Sequence, residues 1–121
     1  MFPIPYGKAN LIIPQGADFY LPIYFGQVDG TPIDLTGFSA RMQVRETVAA
    51  TAVLLGLTSD TDGGIEFTDR PAGKFRIHLT AAQTAAMTWT RGVYDVELVS
   101  SGGEVTRLLL GDIKVSREVT R

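Results

Sequence analysis

The sequence predicts an all-β fold, an antiparallel β-sandwich with one short helix near residues 81–87, and three observations predict it. Strict apolar–polar alternation recurs along the chain, most clearly in Phe38-Ser39-Ala40-Arg41-Met42-Gln43-Val44-Arg45. There Phe38, Ala40, Met42 and Val44 must share one face and Ser39, Arg41, Gln43 and Arg45 the other, because successive strand side chains point to opposite sides. Turn signals built from Gly, Asp, Ser and Pro separate such stretches roughly every eight to twelve residues, the spacing of a sandwich. A helix-start pattern occurs once, at Thr80-Ala81-Ala82-Gln83, where Thr and Gln three apart form a capping box.

A chain of 121 residues has room for one domain. It reads as an extended N-terminal arm over residues 1–8 and a single sandwich domain over residues 9–121. Hydrophobic residues make up 45% and the net charge is -2, so neither nucleic acid nor an acidic membrane is an expected partner. Cysteine is absent, which excludes disulfides, thiolate metal sites and a cysteine nucleophile together. The N-terminus lacks the basic and continuous apolar regions of a signal peptide, and no apolar run approaches the roughly 18 residues of a membrane span. Synthesis and folding in a cytoplasm are therefore expected.

The elements follow in order. Pro3 and Pro5 fix their own φ and push Phe2 and Ile4 toward extended backbone, hence an arm in place of a helix. Residues 9–13 form a short strand ended by Pro14-Gln15-Gly16. Residues 18–25 form the next, with Phe19, Leu21, Ile23 and Phe25 on its apolar face and Tyr20, Pro22 and Tyr24 on the other. Pro22 cannot donate to a ladder, so this strand is expected at a sheet edge or with that position facing away from its partner. Residues 27–32 turn; Asp34-Leu35-Thr36-Gly37 turns again into the alternating strand at 38–46. A strand over 53–58 precedes Ser59-Asp60-Thr61-Asp62-Gly63-Gly64, the strongest turn signal in the chain. Residues 65–68 and 74–79 are strands around the turn at 69–73, with Phe75, Ile77 and Leu79 inward. Residues 92–99 alternate with Tyr94, Val96 and Leu98 inward. After the turn at 101–104, residues 105–115 make either a strand pair or one long strand bent at Gly111, where a bulge is expected.

The polar groups that could carry chemistry each have a simpler structural account. His78, the single histidine, falls on the polar face of its strand with no carboxylate at sequence spacing to orient it. Asp60 and Asp62 before Gly63-Gly64 resemble a calcium loop, yet the later glutamate of such a loop is missing, so a hairpin turn is expected. Asp95 and Glu97 would stand about 7 Å apart on one strand face, where Arg41, Arg45 and Arg107 supply cross-strand salt bridges. No Gly-x-Ser-x-Gly elbow and no phosphate-binding glycine loop occurs. The reading is of a chain that is not an enzyme and takes no metal, cofactor or small-molecule substrate. Trp89 either caps the core or anchors an interface.

Taken in order, Gly16-Ala17-Asp18-Phe19 through Phe25, Pro32-Ile33-Asp34-Leu35-Thr36-Gly37, Gly73-Lys74-Phe75-Arg76-Ile77-His78-Leu79-Thr80, Gly92-Val93-Tyr94-Asp95-Val96-Glu97-Leu98 and Gly111-Asp112-Ile113-Lys114-Val115 carry a resemblance. The chain resembles the immunoglobulin-like β-sandwich of tailed-bacteriophage virion proteins, in particular the N-terminal domain of baseplate upper proteins. The resemblance implies a structural subunit in the virion, a tail or baseplate adaptor that docks fibre or receptor-binding components through protein contacts in a symmetric multi-copy assembly. It implies no catalytic residues. Capsid decoration or head-fibre anchoring is the alternative role, and a carbohydrate-binding module with Tyr20, Tyr24 and Trp89 as its platform is a lower one. Interface residues expected from exposure and position are Phe2, Ile4 and Tyr6 in the arm, Tyr20, Tyr24 and Trp89 in the domain, and Arg117 and Arg121 at the C-terminal end.

Overall fold

In the computed structural model, which describes residues 7–120, nine strands and one short helix form two packed sheets. The strands are β1 (Gly7–Lys8), β2 (Leu11–Pro14), β3 (Phe19–Tyr24), β4 (Ser39–Arg45), β5 (Leu55–Thr58), β6 (Ile65–Asp69), β7 (Lys74–Leu79), β8 (Arg91–Val99) and β9 (Val105–Ser116), and the helix α1 spans Ala81–Ala85. One sheet has the order β1-β9-β8-β4-β5, with β2 also paired to β9; the other has the order β3-β7-β6. These two orders are those of an immunoglobulin-like sandwich whose first strand has joined the sheet of the last.

Alternation explains which side of each strand is core. Ala40, Met42 and Val44 on β4, Phe75, Ile77 and Leu79 on β7 and Tyr94, Val96 and Leu98 on β8 are all buried, as their positions require. Leu11 and Ile13 of β2, Leu57 of β5, Ile65 of β6, and Ile113 and Val115 of β9 complete the layer between the sheets. Phe19, Leu21 and Ile23 of β3 pack against it half-buried, as befits an edge strand. The capping box forms as the sequence predicts: Thr80 Oγ1 accepts from the Gln83 N–H, and Gln83 Oε1 accepts from the Thr80 N–H. The helix ends at Ala85, two residues short of the expected boundary.

The structure corrects three expectations. The sandwich is not wholly antiparallel, because β1 and β2 pair with β9 in parallel, Gly7 opposite Leu109 and Leu11 opposite Ile113. Gly7 and Lys8 therefore belong to the sheet, where an arm was expected through residue 8; residues 1–6 lie outside the described residues. The last strand is a single one, and its bulge is not at Gly111. Val96 pairs with Leu109 and Glu97 with Arg107, so the extra residue is Leu108, whose side chain is buried. Gly111 answers a different need. A Cβ there would collide with the Ala9 carbonyl, so the glycine lets the N-terminal strand lie close against β9.

The corner between β2 and β3 is held by α1. Thr84 is fully buried, accepts from the Gly16 N–H at 2.9 Å and donates to the Ala17 carbonyl at 2.8 Å. Gln15 Nε2 donates to the Met87 carbonyl, and Asp18 accepts from the Ala81 N–H. Gly16 takes φ +82, a left-handed conformation that favours glycine. At this corner the chain reverses, so β2 and β3 run in opposite directions on neighbouring edges of the two sheets.

Candidate functional site

Two outer faces offer functional groups, one on each sheet. On the larger sheet, the cross-strand rows place Arg41 beside Glu97, and Gln43 beside Asp95. Arg41 Nε donates to Glu97 Oε1 at 2.7 Å, and Arg107 Nε lies 3.8 Å from Asp95 Oδ2. Arg45, expected among these ion pairs, turns away instead: its guanidinium donates to the Ala50 and Thr51 carbonyls and to Gln43 Oε1. A groove of about 470 Å³ runs over Asp95 between Arg45, Val48, Arg107 and Lys8. Burial raises the Asp95 carboxyl above its ordinary value and Glu97 adds to this, while Arg107, Arg41 and Arg45 oppose it. Asp95 and Glu97 thus stand in a ladder of alternating charge, the arrangement expected for cross-strand pairs on a solvated sheet.

The smaller sheet presents aromatic and basic groups in adjacent columns. Tyr20, Pro22 and Tyr24 of β3 stand opposite His78, Arg76 and Lys74 of β7. The Tyr20 and His78 rings stack with centroids 4.3 Å apart and planes 10° apart, and the Arg76 guanidinium lies 5.1 Å from the Tyr20 centroid. Glu66 of β6 completes the group, 3.5 Å from Arg76 and 3.6 Å from His78 Nδ1. His78 therefore does have a carboxylate neighbour. The sequence conceals it because the partner is twelve positions away and reaches His78 only through the β6–β7 hairpin register.

Tyr20 and Tyr24 remain 51% and 46% exposed, although both are held in place. Tyr20 is fixed by its stack; the Tyr24 hydroxyl donates to the Gly30 carbonyl at 2.7 Å and its ring lies over Gly26, where any Cβ would collide with it. Pro22 lies exposed between them. The Phe25 N–H donates to Gly73 on the β7 side, so by the alternation of an antiparallel pair the Pro22 nitrogen falls on the open edge. A neighbouring strand would find no donor there.

The other expected interface residues separate. Trp89 is half-buried and packs against the core. Arg117 is exposed just beyond β9. Phe2, Ile4, Tyr6 and Arg121 lie outside the described residues. Arg70, which the sequence marks only as part of a turn, proves to be a staple: it donates to the Leu35 and Phe38 carbonyls at 2.9 and 2.8 Å and its guanidinium lies 3.8 Å from the Phe67 centroid. It ties the Asp34–Gly37 turn to the second sheet. Asp34 itself accepts from the Thr36 hydroxyl and N–H, bonds that hold its carboxyl below the ordinary value.

Among the described residues, no group of three or more acidic, histidine or cysteine side chains converges to hold a metal ion. The turn at 59–64 closes through the Thr58 N–H on the Gly63 carbonyl and the Gly63 N–H on the Asp60 carbonyl, but it is not the hairpin expected: β5 belongs to the larger sheet and β6 to the smaller, so the turn carries the chain from one sheet to the other. No described helix is long and apolar enough to cross a membrane. No protein-family model and no curated protein matches the chain.

Proposed function

We propose that this chain is a virion structural protein of a tailed bacteriophage, an adaptor of the tail or baseplate that docks fibre or receptor-binding components through protein contacts. It acts by presenting surfaces in several symmetric copies, without catalysis, and its working location is the virion after synthesis in the host cytoplasm. One observation carries the reading: the five ordered motifs of the resemblance fall at the places where an immunoglobulin-like sandwich needs them. Gly16 makes the corner before β3, Asp34 to Gly37 makes the turn docked by Arg70, Gly73 closes the turn before β7, and Gly111 admits the N-terminal strand. Gly92 lies where a Cβ would crowd the Arg45 carbonyl and the Val44 side chain, allowing β8 to pack close to β4.

The surface chemistry agrees with docking. Rigid exposed aromatics beside arginine are the residue types that anchor protein interfaces. The carbohydrate platform is less well supported, because Trp89 packs against the core while the two tyrosines stand on β3. The deciding experiment is cryo-electron microscopy of purified particles, with an antibody against this chain as label. Density or label at the tail is the expected result. Label on the head would replace this reading with capsid decoration, and absence of the chain from infectious particles would overturn both.

A further inference from the structure

We propose that the Tyr20-Pro22-Tyr24 stripe of β3 receives the N-terminal Phe2-Pro3-Ile4-Pro5-Tyr6 segment of a second copy of this chain. The inference deepens the assembly reading above by naming the contact that joins one subunit to the next.

The face supplies the first part of the argument. Two tyrosines, each held in position, flank an exposed proline on an edge strand. Four strand residues put Tyr20 and Tyr24 about 13 Å apart. Because the Pro22 nitrogen faces the open edge, an added β-strand is disfavoured there, and the ligand must lie on the aromatic face. Holding the rings in advance lowers the entropy lost when something docks on them.

The occupant follows from chemistry and from where the chain emerges. Aromatic surfaces take proline-rich segments in the polyproline II conformation, which has little conformational freedom left to lose. Pro3 and Pro5 impose that conformation on themselves and favour it in Phe2 and Ile4. From Phe2 to Tyr6 such a segment spans about 12 Å, a close match to the tyrosine spacing. Its carbonyls have no partners within the segment, and the column beside the stripe, Lys74, Arg76 and His78, provides donors.

Topology selects a second copy over the same molecule. From Pro14 the chain reverses at the corner and β3 descends beside the path along which β2 and β1 climbed. Gly7 stands opposite Leu109 and so level with Val96, five residues along β8 from the corner end, while Tyr24 is five residues along β3 from that same end, so Gly7 is at the height of the Tyr24 end of β3. The strand direction of β1 at Gly7 points past that end and away from the stripe of its own molecule. A neighbour's stripe lies open to it, and the contact is head-to-tail, which closes into a ring when the rotation per copy permits.

Sedimentation velocity on the full chain tests the contact. The parent chain is expected to associate as its concentration rises. Tyr20→Ser/Tyr24→Ser on the face and Pro3→Gly/Pro5→Gly in the arm should each weaken association about tenfold or more. Thermal midpoints serve as the folding control, and Tyr20→Ser alone leaves the Tyr24 bond to Gly30 intact should the double face variant melt early. An equimolar mixture of the face and arm variants should recover one contact and stop at a 1:1 dimer, since one retains a working arm and the other a working stripe. A parent that stays monomeric, association indifferent to the arm substitutions, or a mixture without the dimer would each overturn the proposal. These results need no virus particle, so they stand or fall separately from the localisation experiment.

Discussion

Single residues in this molecule matter through what a neighbour leaves no room for, or leaves unpartnered. Phe75 is buried between the sheets, and Phe75→Ala should cost about 3–5 kcal/mol in chemical denaturation through the cavity it leaves. Val96→Asp should abolish cooperative unfolding, because it buries a carboxylate with no partner. Gly111→Ala forces a methyl against the Ala9 carbonyl, and a loss of about 1–3 kcal/mol, with faster hydrogen exchange at Ala9 and Gln15, is the expected outcome. Tyr94 gives a pH signature. Its hydroxyl donates to the same Ala9 carbonyl at 2.6 Å, and burial pushes its pKa up to about 12 from an ordinary value of 10.0. Below pH 10 its contribution is fully present. Between pH 10 and 12 the unfolded chain releases this proton while the folded one keeps it, so stability falls with rising pH, by up to about 3 kcal/mol. Tyr94→Phe should cost about 1 kcal/mol at neutral pH and flatten the alkaline limb of the stability curve.

At the scale of elements, the helix is a clamp on a corner. Its five residues are too few to be stable alone; it persists because Thr84 bonds the backbone at Gly16 and Ala17. Thr84→Val keeps the shape and removes the hydroxyl, and should cost about 1–3 kcal/mol in urea denaturation, with Thr84→Ser recovering much of the loss. The strands show how their edges are managed. Pro22 interrupts the donors of β3, and Pro14 closes β2 at its end. On the larger sheet, Asp95 binds its proton more readily in the fold than in the unfolded chain. Its contribution to stability is therefore present in acid and declines as pH rises past the ordinary carboxylate range, and Asp95→Asn should flatten the measured stability there.

At the scale of the whole molecule, the parallel addition of β1 and β2 decides where the domain starts. A chain beginning at Gly7 should unfold cooperatively like the parent. One beginning at Gln15 loses the buried side chains of Leu11 and Ile13 and uncovers one side of β9, and should lose about 4 kcal/mol or more. Thermal denaturation of the two truncations checks both. In the assembly proposed above, contacts would run through faces and terminal segments, because Pro22 leaves the β3 edge without a donor for an added strand, and the Tyr20–Tyr24 stripe is the face with held aromatic side chains.

The sequence by itself determined the class of fold, most strand positions and the inward side of each, because alternation with a period of two is a local property written into β4, β7 and β8. It also determined the capping box, since Thr80 and Gln83 need only each other. Tertiary structure alone decided that β1 and β2 would run parallel to β9, that Leu108 and not Gly111 would be the bulge, that Glu66 would meet His78, and that Arg70 would hold the turn at Leu35. Each of these joins residues far apart in the chain, and register between distant strands is set by the packing of the whole core, which no local pattern encodes. The stripe on β3 shows both origins: its alternation is legible in Tyr20, Pro22 and Tyr24, and its rigidity comes from His78 and Gly30, partners that only the folded chain brings within reach.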